Sequence, residues 1–161
     1  MARQPGVAAN VPDFNFDRYF QLAHVSQLTQ QTERDVKILV AQQHPNDREN
    51  TLAKFIGIGF WGYQHEVTWK AIYRSQLLAL TELNAAGGIL PLPAARAHYE
   101  QASQDYPEKY ANYAFEQWLG FMQSYPLLIR HPSDMLEITL RGRDFLTFLA
   151  HWGWNVDGRI Y

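Results

Sequence analysis

The sequence predicts a mostly α fold with a small β-hairpin, an α+β chain in which an N-terminal helical extension precedes a C-terminal unit of helices closed by the hairpin. Three observations predict it. Trp69, Ile72, Tyr73, Leu77, Leu80 and Leu83 recur at spacings of three and four, the period that places side chains on one helix face. Two short apolar runs, LLIR and MLEITL, flank the turn sequence HPSD, as the strands of a hairpin do. Hydrophobic residues make up 47% of the 161-residue chain and aromatics 14%, enough to bury a sizeable core.

The elements follow in order. Residues 1–12 form a loose lead with Pro5 and Pro12 and few large side chains. A helical pattern runs from Phe14 to Gln43, with Phe16, Tyr19, Phe20, Ala23 and Val25 near one face, Asp13 or Asn15 placed to cap it, and SQLTQQTERD polar enough to allow a break. HPNDREN breaks the helix, because Pro45 cannot continue one and Asn46 and Asp47 favour a turn. Leu52 to Asn84 reads as helical throughout, one long helix being one way to form it, ended at Gly87 or Gly88 by a left-handed residue. Ile89 to Pro93 is extended, and Pro93 starts the next helix. DYPEKYANY interrupts. AFEQWLGFMQSY is an amphipathic helix with Phe115, Trp118, Leu119 and Met122 on its apolar side. Thr139 caps the last helix at the N–H of Gly142, and Phe145, Leu146, Leu149 and Trp152 are expected to face inward. This divides the chain into residues 1–50, a lead and helical extension; 51–68, a glycine-rich apolar segment; 69–153, the C-terminal domain; and 154–161, a tail.

Within KFIGIGFWGYQHE, Gly57, Gly59 and Gly62 spell G-x-G-x-x-G. A dinucleotide site requires a strand before the first glycine and an acidic residue about 20 positions on, at the end of a second strand. Here a turn and NTLAKF precede the glycines, and Glu82 falls inside a helical repeat. The glycines are better explained as places where another backbone comes close, in a helix–helix contact with the Phe14–Val40 region or with another chain, or as a kinked junction. No cofactor is expected.

EQWLGFMQSYPLLIRHPSDMLEITLRGRDFLTFL resembles the end of winged-helix domains. There a buried helix leads into a pair of leucines, a wing, and the pattern I-T-x-x-G-x-x-F-L-x-x-L, matched by Ile138, Thr139, Gly142, Phe145, Leu146 and Leu149. The resemblance covers about half the chain. It departs at Leu140, where proline is frequent. AIYRSQLLALTELNAAGGILP with YPEKYANYAFEQWLGF is also similar to uncharacterised bacterial proteins that carry this unit beside a membrane segment, and no activity comes with that likeness. The present sequence shows no such segment: its longest apolar run, around Phe55 to Tyr63, is far short of the roughly 20 residues a spanning helix takes. Nor does an apolar stretch behind Arg3 suggest a secretory signal. A cytoplasmic protein with no membrane span is expected.

The resemblance raises DNA binding through the third helix and the wing. Residues 89–152 hold five basic and seven acidic residues, and the candidate third helix, AFEQWLGFMQSY, has no Lys or Arg, whereas phosphate binding draws on basic clusters. The nucleic-acid candidates are Lys109, Gln117, Arg130, Arg141 and Arg143, with the arginines also readable as a solvated wing edge that resists strand pairing. Other chemistries lack their patterns. The chain has no cysteine, so no thiolate ligand, nucleophile or disulfide. His65-Glu66 is not H-E-x-x-H, since Trp69 holds the second position, and no local spacing gathers metal ligands. There is no G-x-S-x-G and no P-loop. Tyr99, Tyr106, Tyr110, Tyr113 and Tyr125 read as core and near-core residues first and a partner surface second. The expectation is a non-catalytic protein–protein interaction or assembly module, a homodimer or a complex with a protein partner, with Phe16, Phe20, Phe55, Ile58, Phe60 and Trp61 at the contact. A DNA-binding regulator is the alternative.

Overall fold

The computed structural model describes residues 27–154. The chain divides into two compact units at Gly57/Ile58, and that division falls inside a single helix. The expected Phe14–Gln43 helix lies partly outside the described residues, together with Phe16 and Phe20.

In the first unit, α1 spans Gln27–Ala41. From Gln27 on, the polar stretch expected to allow a break is continuous helix, supported by pairs one turn apart: Gln31 donates to Asp35 at 2.8 Å, and Lys37 pairs with Glu33. The breaker acts as its residues require. Pro45–Asp47 form one 3-10 turn, and His44 Nδ1 accepts from the Asn46 N–H at 3.3 Å. Arg48 then folds back to the carbonyls of Ala41 and Gln43, at 3.2 and 3.4 Å. That places a cation at the negative end of α1.

Arg48 also begins α2, Arg48–Ala71, and α3 follows at Arg74–Ala85. The helical span expected from Leu52 to Asn84 is therefore two helices. Tyr73 is extended, with φ −77° and ψ 153°, and its N–H donates to the Gln76 side chain at 2.8 Å. The Tyr73 ring packs against Tyr110 and Tyr113, 5.8 and 5.1 Å away by ring centroids. Residues far along the chain thus hold a break that the local helical period conceals.

Gly87 and Gly88 end α3 with φ of 84° and 96°, and the Gly88 N–H reaches back to Leu83 O at 2.9 Å. Next come β1 (Ile89–Pro91), α4 (Leu92–Asp105), α5 (Pro107–Tyr110), α6 (Phe115–Ser124), β2 (Leu128–Arg130), β3 (Met135–Ile138) and α7 (Leu140–His151). The extended Ile89–Pro91 joins the hairpin as a third strand. The sheet is antiparallel in the order β1-β3-β2, with Leu90 opposite Leu136 and Leu128 opposite Ile138. Pro91, which has no N–H, lies on an edge strand, where the ladder tolerates it. Leu90, Leu128, Leu136 and Ile138 face the core, while Ile89 and Ile129 face out.

The core of the second unit is Leu77, Leu80 and Leu83 of α3, Trp118, Leu119 and Met122 of α6, and Phe145 and Leu149 of α7, closed below by the sheet leucines. Each fully buried side chain of this size contributes about 1.5–3 kcal/mol of transfer free energy. Thr139 caps α7 as its sequence predicts, accepting from the Gly142 N–H at 3.0 Å. Gly142 has a second job. A Cβ there would sit 2.2 Å from the Leu127 carbonyl oxygen, so only glycine lets the first turn of α7 press against the entry to β2.

Trp152 is not inward: it is 61% exposed. The helix ends at His151, and Gly153, with φ 68°, turns the chain back. Trp154 takes the inner place instead, stacked on Trp69 at 5.5 Å and edge-on to Phe148 at 5.6 Å.

Candidate protein-binding surface

The tyrosines resolve into internal support. Ser75, buried on α3, lies 2.7 Å from the Tyr110 hydroxyl and accepts from Trp118 Nε1 at 2.8 Å. Its neighbour Gln76 donates to the Trp118 carbonyl at 2.7 Å and to the Tyr113 hydroxyl at 3.1 Å. Tyr99 donates to the Tyr113 carbonyl at 2.8 Å. Every buried polar group named here has a partner, which is what keeps such a network from costing stability. Burial raises the phenol of Tyr113 to about 12 against the opposing bond from Gln76, and burial likewise raises that of Tyr110. Both hydroxyls stay protonated throughout the neutral range.

The basic candidates are largely held by their own molecule. Arg130, on β2, bonds Asp134 at 2.8 Å and Glu116 at 3.3 Å; the bond to Asp134 holds its guanidinium above the usual arginine value. Arg143 donates to Asn84 on α3 at 3.2 Å and occupies the space a side chain at Gly88 would fill. Arg141, two residues earlier, turns to α2 instead: it donates to Gln64 at 3.3 Å and lies over the Trp61 ring, 5.4 Å from its centroid. Burial lowers the Arg141 guanidinium from its ordinary value. Gln117 accepts from the Ala114 N–H at 2.9 Å, capping α6. Lys109 is exposed on α5. Arg130, Arg141 and Arg143 are thus directed to three different helices, α6, α2 and α3.

Sequence reasoning missed how α2 is held. His65 is 2% exposed; its Nε2 lies 2.8 Å from Asp144 Oδ2, and its ring sits among Trp61, Phe145 and Phe148. Thr68, one turn on, is also buried. The signal was a polar residue at helical spacing from Trp69 and Ile72, but nothing local points to Asp144. The scattered histidines pair elsewhere as well: His98 with Glu82 at 2.5 Å, joining α3 and α4, and His131 with Glu137 at 2.8 Å, across the hairpin.

The opposite condition holds for the apolar candidates. Phe55, Ile58, Phe60 and Trp61 all fall on α2 and are all exposed, with Leu52, Ile56 and Tyr63 exposed beside them. Gly57, Gly59 and Gly62 lie within the same helix, and a Cβ on any of them would meet no described atom within 4 Å. The close approach expected at these glycines is therefore not made within the described residues. A helix also replaces the strand–loop–helix that a phosphate cradle requires. Seven large apolar side chains are thus exposed along this helix between Leu52 and Tyr63.

Among the described residues, no three His, Cys, Asp or Glu side chains are grouped to hold a metal ion, and no helix is long and apolar enough to cross a membrane. No family model, no curated protein and no solved structure matches the chain.

Proposed function

We propose that the chain is a non-catalytic protein–protein interaction module that self-associates through α2, carried on a winged-helix-like second unit. The observation that carries this reading is the exposure of Leu52, Phe55, Ile56, Ile58, Phe60, Trp61 and Tyr63 along α2. Leaving that much apolar surface in water forgoes stabilisation that a partner would recover, at about 25 cal/mol for each Å² covered. The winged-helix-like reading draws on the helix–strand–helix–helix–helix–strand–strand–helix succession, the sheet order β1-β3-β2, the Thr139 cap and the close approach at Gly142. The internal engagement of Arg130, Arg141 and Arg143 weighs toward a protein partner rather than phosphate.

Sedimentation equilibrium of the full chain across a wide concentration range tests the reading. Dimer is expected, and Ile56→Asp with Phe60→Asp should weaken association at least about tenfold with the helical circular dichroism unchanged. A strict monomer at every concentration overturns the reading. So does a salt-dependent complex with duplex DNA that Arg141→Ala and Arg143→Ala weaken while self-association is absent.

A further inference from the structure

We draw no further inference here: the strongest candidate, the exposed apolar stretch of α2 from Leu52 to Tyr63, belongs to the surface already described, and nothing among the described residues shows what covers it.

Discussion

His65 Nε2 and Asp144 Oδ2 are 2.8 Å apart although 79 positions separate them in sequence. The pair ties α2 to α7 at a point where the imidazole is surrounded by Trp61, Phe145 and Phe148. Its other nitrogen, Nδ1, is buried with no hydrogen-bond partner among the described residues. The ring therefore depends on a single bond to a carboxylate that is itself 59% exposed.

Asp144→Ala removes that bond and leaves both imidazole nitrogens buried without protein partners. The expected loss is about 1–3 kcal/mol in chemical denaturation. Asp144→Asn, which keeps an acceptor oxygen, should lose less. Equal losses for the two would show that the bond is not what holds the ring.

Two glycines at helical positions should respond to alanine with opposite signs. Gly142→Ala drives a methyl to 2.2 Å from the Leu127 carbonyl oxygen, and the shift it forces should cost roughly 1–3 kcal/mol. Gly120→Ala, inside α6 and with no described atom within 4 Å of the new methyl, should stabilise by up to about 1 kcal/mol through helix propensity. Thermal denaturation of the two variants side by side measures the contrast.

The buried phenols predict an alkaline limit. Tyr113 titrates at about 12 in the fold against an ordinary tyrosine value of 10.0. Above the lower value the unfolded chain releases a proton that the folded chain keeps, so stability falls as pH rises from about 10 toward 12 and is intact below that window. The raised phenol of Tyr110 adds in the same direction. Phenolate absorbance and ellipticity followed together should show late ionisation coupled to unfolding, and Tyr113→Phe should flatten the stability slope between the two values.

Much of the fold was legible because its signals are local. A hydroxyl three residues before a glycine announced the Thr139 cap, paired glycines announced the end of α3, and proline followed by Asn-Asp announced the turn after α1. What escaped depends on distant partners. Nothing near Tyr73 says that α2 stops there, because the rings that hold the break belong to Tyr110 and Tyr113. Trp152 sat on the right period and was misplaced only because the helix stops one residue earlier. Ile89–Pro91 was legible as extended chain, whereas its pairing with β3 is a long-range fact. Of the candidate residues, Phe55, Ile58, Phe60 and Trp61 were named on apolar character alone, and their exposure on α2 was not legible from it. The arginines could not be resolved, since composition does not tell whether a guanidinium faces water, Glu116, Asn84 or Trp61.

The sheet has two margins, and neither invites an added ribbon. β1 offers three residues, one of them Pro91 with no proton to give; β2 offers three more and finishes on Arg130. A neighbouring molecule arriving edge-on would gain too few backbone bonds to stay, and would meet a cation as it did so. Growth into fibrils by strand recruitment is thereby disfavoured at this small sheet.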